Sequence, residues 1–430
     1  MNNIYQCVFN EVCHLKGTLA VAVSGGADSM CLLTVLSAMK NVEFKVIALN
    51  VEHGIRGENS IKDSALVLEY TKKLGITCIT KSINTLEYHL SHKVSLEMAG
   101  RILRYRFFDE VLERKQADYI LLAHHLDDLT ETIIMRIFRG TGLEGLKGIQ
   151  NRDRYLRPLL KVTKAEIYDY VAKNDIPYRE DESNADINYT RNFVRNELLP
   201  KVETRWKDYR KSLLKLSERA NENENFLMTL APKPTIVDNA VCLKIDELTN
   251  SHIVLQKFAI RQAVNIINGG VDFEESNLND VLALINLTNG ARVDLANGIR
   301  ASKEYDLLVF EEYQPIEFET VPFRVGEFTI GKDRWSVEKY TGNGIRFDVN
   351  KIPESAVIRL RERGDVFTRF SGITTSLGDF YTDKKVSKRL RERYPIIAVD
   401  STVLVTPVEI SRSVMVDDGN IESVYTLIKK

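Results

Sequence analysis

The chain has 430 residues, 44% hydrophobic and 28% charged, which exceeds one ordinary core and describes a globular protein of two or three domains. A formal net charge of −1 excludes a polybasic protein overall. It leaves open the local binding of a polyanion, which follows the distribution of charge rather than its total.

The N-terminal stretch MNNIYQCVFNEVCHLKG has no sustained apolar run and no basic flank, so no signal peptide is read there. No apolar stretch approaches the length of a membrane span. Cys7, Cys13, Cys31, Cys78 and Cys242 contain no C-x-x-C pair, which suits reduced thiols in a cytosolic protein. The first strand, Leu19–Val23, runs through Ser24-Gly25-Gly26-Ala27-Asp28-Ser29 into a helix over Ser29–Met39 that is apolar nearly all round. A strand at Phe44–Val51, a helix at Asn59–Leu74 and a strand at Ile76–Ser82 follow. Then come an amphipathic helix at Ser95–Arg114, a strand at Tyr119–Ala123 and a helix at Leu126–Phe138. Strand and helix in alternation predict right-handed crossovers and a parallel sheet. Ligands of such sheets bind beyond the carboxyl ends of the strands, where Ser24–Ser29 falls.

The charged segment Lys201–Asn225 reads as a connecting helix. Helices at Ile253–Ile267 and Asn277–Leu287 suggest a small, mainly helical middle domain. From Tyr313 the pattern alternates apolar with polar, punctuated by Gly326 and Gly331, and predicts hairpins. The expected organisation is therefore an α/β catalytic domain with its connector over 1–215, a middle domain over 216–312 and a β-rich domain over 313–430.

Glycines in the turn after the first strand let the backbone approach a ligand. N–H groups at the helix start converge there on an anion, with the helix dipole adding to the field. Ser24 and Ser29 add hydroxyls. Asp28 is an odd neighbour for an anion unless Mg²⁺ bridges carboxylate and phosphate oxygens. The plain alternative is a tight turn with a capped helix. The stretch is neither G-x-x-x-x-G-K-[ST] nor G-x-G-x-x-G.

On the helix from Leu126, Asp128 and Glu131 share one face, with His124 just before it. His124 suits donation to a phosphate where charge grows, and the two carboxylates suit an ammonium group or Mg²⁺. The alternative is an exposed helix start with solvated acids. Zinc on adjacent His124 and His125 is disfavoured, since no third ligand is evident. Glu97, Arg101 and Arg104, at i, i+4 and i+7, share a helix face that reads equally as a surface ion pair.

The stretch S-G-G-x-D-S resembles the pyrophosphate loop of the N-type ATP pyrophosphatases. It is followed in order by "LNVEHGIRGENS", "SLEMAGRILRYRFF", "LLAHHLDDLTETIIMRIFRGTGLEGLKG", "LRPLL" and "REDESNADINYTRNFVRNELLP". Over roughly the first 200 residues the chain is similar to the tRNA(Ile)-lysidine synthases. The likeness weakens in the middle and revives at "RLRERGDVF" and "SKRLRERYPII". The resemblance implies a Rossmann-like PP-loop fold and a C–N bond-forming ligase. ATP with Mg²⁺ would adenylate the C2 oxygen of the wobble cytidine in a tRNA(Ile) with a CAU anticodon. The ε-amine of free L-lysine would then displace AMP.

Carried over residue by residue, the resemblance implies ATP contacts from Ser24, Gly25, Gly26, Ala27, Asp28, Ser29 and His53, with Asp28 toward Mg²⁺. It implies catalytic roles for Asp28, His124, Asp128, Glu131, Arg101 and Arg104. It implies tRNA contacts from Arg139, Asn184, Arg191, Arg195, Lys388 and Arg389, a cytoplasmic location, no membrane partner and room for a homodimer. Two departures stand out: Gly100 replaces a usual alanine, and Val386-Ser387 replaces a frequent Ile-Pro pair. A tRNA thiolase of the same superfamily and a nucleotide binder without turnover are the alternatives. The first is opposed by Cys31 and Cys78 lying in core segments, the second by the set Asp28, His124, Asp128 and Glu131.

Overall fold

Short apolar runs separated by amphipathic segments become βα units in the first of two units, Met1–Phe226 and Leu227–Lys430. The computed structural model describes residues 3–52, 58–180, 187, 189–269, 273–417 and 423–430. The first unit begins with α1 (Asn3–Val12), β1 (Gly17–Ala22), α2 (Ala27–Ser37), β2 (Phe44–Glu52), α3 (Glu58–Lys73) and β3 (Thr77–Ser82). It continues with α4 (Thr85–His92), α5 (Leu96–Glu113), β4 (Tyr119–Leu121), α6 (Leu126–Arg139), α7 (Leu143–Leu146), β5 (Tyr155–Leu156) and α8 (Lys164–Lys173). After α9 (Thr190–Phe193) comes one π-helical stretch, Val194–Leu198, then α10 (Leu199–Arg205) and α11 (Tyr209–Leu230).

The five strands form a parallel sheet in the order β3-β2-β1-β4-β5. The chain builds outward from β1 to β3, then returns to place β4 on the other side of β1. That reversal opens a crevice at the carboxyl ends of β1 and β4. β1 is central because Leu19, Ala20 and Val21 are fully buried. Leu19 and Val21 pack with Leu32, Leu33, Val35 and Leu36 of α2, while Ala20 packs on the opposite face with Phe107, Phe108 and Val111 of α5. Helices therefore cover both faces, and α2 is apolar all round because it is buried all round. Each such aliphatic or aromatic side chain contributes roughly 1.5–3 kcal/mol by leaving water.

In the second unit the two helices expected in the middle segment are present, at Ile253–Asn268 and Glu275–Leu284. Its elements are β6 (Thr235–Val237), β7 (Ala240–Lys244), α12 (Ile245–Thr249), α13 (Ile253–Asn268) and α14 (Glu275–Leu284), then β8 (Arg292–Asp294), β9 (Ile299–Glu304) and β10 (Leu307–Glu312). The mainly helical reading misses a sheet in the order β6-β7-β10-β9-β8. Leu243, Ala301, Leu308 and Phe310 of that sheet form one core with Ile260, Val264, Leu278 and Val281. The strands are short and carry buried charge, at Arg300, Glu304 and Glu311, so no clean alternation marks them. Beyond β10 the chain is β-rich as expected, in a six-stranded and a four-stranded sheet.

Candidate active site

The turn after β1 exposes main-chain donors. Gly25 has φ +87°, a value that strains any residue with a β-carbon. A Cβ there would also meet the Asp63 carbonyl oxygen at 3.4 Å. Gly26 leads into α2 in extended conformation, and no side chain caps the helix. The first-turn N–H groups, from Ala27 onward, thus have neither an intrahelical partner nor a cap. Ser29, expected as a ligand donor, is buried; it lines the cavity described below and its hydroxyl also braces the turn. Its hydroxyl donates to the Gly26 carbonyl (3.0 Å) and accepts from the Ser24 N–H (3.2 Å). Ser24 is exposed and lines the same cavity.

Pairing of β1 with β4 sets this turn beside the start of α6. His125 is the N-cap of α6 and is 1% exposed. Its Nδ1 accepts from the Asp128 N–H (3.3 Å), and its own N–H donates to Asp128 Oδ2 (3.1 Å). An accepting Nδ1 leaves the ring proton on Nε2, which lies 3.7 Å from Asp28 Oδ2 and 3.5 Å from Asp128 Oδ2. Burial alone pushes both carboxyls up. For Asp28 it prevails, although His125 and Lys164 pull the other way. For Asp128 it is outweighed by His125, Arg191 and the backbone hydrogen bond, so that carboxyl sits below its ordinary range. Two acids on either side of one imidazole are thereby driven apart.

Glu131 is 1% exposed and faces cations rather than solvent. Arg195 donates to it through Nε (2.6 Å) and Nη2 (2.9 Å), and Arg191 through Nε (2.8 Å). Arg191 also donates from Nη2 to Asp128 Oδ1 (3.0 Å). The expectation that Glu131 meets an ammonium group or Mg²⁺ while Arg191 and Arg195 meet RNA is thus revised, because these residues satisfy one another. Helix spacing shows which residues share a face of α6 but not what the fold packs against that face. The clamp holds the π-helical turn, a geometry frequent at functional sites.

A cavity of about 480 Å³ opens at the sheet's switch point, lined by Ser24, Gly26, Asp28, Asn50, Arg104 and His124 among others. Three of its buried polar atoms have no hydrogen-bond partner: Asp28 Oδ1, Asn50 Oδ1 and His124 Nδ1. Each such atom costs roughly 1–3 kcal/mol when left unpaired, and ordered water, an ion or a bound ligand entering the cavity would satisfy it. Of the two arginines expected on α5, only Arg104 lines the cavity; Arg101 is exposed and stacks on Tyr105, 5.0 Å from its ring centre. Gly100 is buried in α5. No cluster of three carboxylate, histidine or cysteine ligands exists among the described residues. Mg²⁺ is commonly held by one carboxylate together with substrate phosphates and water, and the orphaned Asp28 Oδ1 fits that mode.

Arg139 ends α6 as an exposed residue, followed by Gly140 with φ +78°. Lys388 is exposed on the short helix Lys388–Arg391. Arg389, expected as a phosphate contact, has a side chain only 8% exposed, with Nε 3.4 Å from Glu304 and Nη1 3.9 Å from Glu311. A run of basic residues in sequence does not distinguish a solvated charge from one buried against acids on β9 and β10. His53 and Asn184 lie outside the described residues.

A PP-loop domain model matches residues 2–202. The tRNA(Ile)-lysidine synthase of Bacillus subtilis is 31% identical over 434 residues, covering 94% of this chain and 92% of its own. The chain belongs to the tRNA(Ile)-lysidine synthase family. The synthase of Clostridium acetobutylicum is 28% identical, with 95% of each chain covered. Among solved structures, the U34-tRNA thiolase NcsA of Methanococcus maripaludis has 17% identity and a TM-score of 0.44, over 51% of this chain and 78% of its own. As members of a PP-loop ligase family, lysidine synthases use ATP. Among the described residues no helix is long and apolar enough to cross a membrane.

In this lysidine synthase family member, sequence reasoning does not single out His125, Asn50 or Arg179, the last of which also lines the cavity. In "HHLDD" the sequence marks His125 only as a neighbour of His124 that could share a metal. The other two are single polar residues at a strand end and in a loop, with no spacing to mark them. His124 carries a further consequence. Burial lowers its pKa from 6.5 to about 4 against the pull of Asp128, so the ring is neutral at pH 7. The unfolded chain takes up a proton near pH 6.5 that the folded chain refuses. Stability is therefore full above that pH and declines toward pH 4, by up to about 3 kcal/mol. In urea titrations at pH 7 and pH 4.5, His124→Gln should lose less stability on acidification than the parent. Equal losses would contradict the assignment.

Proposed function

We propose that this chain joins free L-lysine to C2 of the wobble cytidine of a tRNA(Ile) bearing a CAU anticodon. The C2 oxygen attacks the α-phosphorus of ATP, and the bond to the diphosphate breaks. The ε-amine of lysine then attacks C2 and AMP leaves. The observation that carries this reading is the set of three orphaned buried atoms around one cavity at the end of β1, in a chain of this family. N–H groups at the start of α2 hold the diphosphate. His124, neutral, donates a ring N–H to an oxygen of the α-phosphate, where charge grows. Asp28 is the residue that would hold Mg²⁺, whose chemistry is to neutralise phosphate charge.

Lysine's ammonium has a pKa near ~10.4, and a carboxylate beside it raises that further. Asp128, held ionised, therefore orients the ammonium; once that group has lost one proton the neutral amine attacks C2, and Asp128 accepts the second proton as the C–N bond forms. Glu131 acts through Arg191 and Arg195 by fixing the segment that closes against α6. Arg104 meets the nucleotide or the target base from α5. Arg139 and Lys388, both exposed, meet tRNA phosphates. Mg²⁺ as the ion, a cytosolic setting and a homodimer belong to the same reading.

The test incubates the protein with ATP, labelled lysine and the CAU-anticodon tRNA. Label is expected on the RNA, and none when the wobble cytidine is replaced by uridine. Pyrophosphate release that needs a sulfur donor instead would favour the thiolase reading.

A further inference from the structure

We infer that Arg179 holds the diphosphate end of the nucleotide and stabilises it as it leaves, an inference that rests on the ATP site proposed above. The Arg179 N–H donates to the Gly25 carbonyl oxygen (3.0 Å), so the residue is pinned to the turn after β1. On the same glycine, a β-carbon would meet the Asp63 carbonyl oxygen, so Asp63 of α3 flanks that turn too. The Arg179 side chain reaches Asp63 Oδ1 through Nε (2.5 Å). Both residues line the cavity with Ser24, Gly26 and Asp28. A guanidinium carries five N–H donors and serves a carboxylate and a phosphate together.

Charge makes the same point. The described lining carries the carboxylates of Asp28, Glu52, Asp63 and Glu180, against the guanidiniums of Arg104 and Arg179. A triphosphate entering that lining needs positive charge at its diphosphate end. Arg104 comes from α5, whereas Arg179 is hydrogen-bonded to the phosphate-facing turn itself. When the C2 oxygen bonds to the α-phosphorus, the electron pair of the breaking bond goes to the departing diphosphate. Arg179 meets that charge in a site already organised for it. Asp63 is a positioning residue, since it acts by holding Nε.

The experiment measures the KM for ATP, the KM for lysine and the inhibition constant for added pyrophosphate in the full chain with tRNA. Arg179→Ala should raise the first and third by about tenfold or more and leave the KM for lysine unchanged. Arg179→Lys, which keeps the charge but loses the fork, should recover part of the loss, and it stands in if the alanine variant fails to fold. Asp63→Asn should shift pyrophosphate inhibition less than Arg179→Ala. An unchanged pyrophosphate constant in Arg179→Ala would overturn the inference. Equal shifts in the two variants would also overturn it, because the pair would then only brace the turn. Asp28→Ala run alongside separates the two readings: if it is inactive while Arg179→Ala is normal, only the role of Arg179 is lost.

Discussion

Glu131→Gln is expected to destabilise the first unit by about 3–5 kcal/mol, the usual cost of removing one partner from a buried ion pair. The carboxylate is 1% exposed and accepts from both Arg191 and Arg195. Glutamine keeps the shape and removes the charge, leaving two guanidiniums facing one another across a half-buried space. Asp128 then carries the whole counter-charge, with Arg191 at 3.0 Å and Arg195 at 3.5 Å. Urea unfolding at neutral pH reads the loss. A double-mutant cycle with Arg195→Gln should return a coupling energy of at least about 1 kcal/mol. Lysine transfer should fall in the same variant, since the 190–198 segment loses its anchor on α6. Wild-type stability in Glu131→Gln would mean that the clamp is a surface pair of little consequence.

Asp28→Asn should do the opposite to stability while removing the chemistry. Burial raises the Asp28 carboxyl, so folding charges that group at a cost. A raised acid binds its proton more readily folded than unfolded. Its contribution to stability therefore falls as pH rises through the window between the ordinary and the raised value. An uncharged amide escapes that cost, and the variant is expected to be as stable as the parent or more so at pH 7. Pyrophosphate release should nonetheless drop by at least about a hundredfold, because the orphaned Oδ1 no longer presents charge to the cavity. Stability gained where activity is lost is the ordinary signature of a site residue. A variant that releases pyrophosphate at the parental rate would remove Asp28 from the site.

Much of this was readable from one-dimensional pattern. β1 and α2 announce themselves through "TLAVAV" and "MCLLTVL", and S-G-G-x-D-S between them marks the turn, because positive φ at Gly25 demands glycine. Strand and helix in alternation were enough for a parallel sheet. The middle sheet was not legible, since strands of three to six residues with buried Arg300 and Glu304 show no regular period. Arg389 was misread for a related reason: sequence reports that a residue is charged, not whether a carboxylate waits beside it.

The sequence by itself determined the local facts: which segments are helix or strand, where the glycine-rich turn after β1 lies, and which residues share a face of α6. Those depend on φ, ψ and periodicity, which act between near neighbours. Only the tertiary structure decided that β4 lies against β1. That pairing sets the turn of residues 24–29 beside His124 and His125, nearly a hundred positions away. It likewise decided that Glu131 faces two arginines and that Arg179 sits on Gly25. Electrostatic pairing and burial depend on distance in space, and no spacing along the chain encodes them.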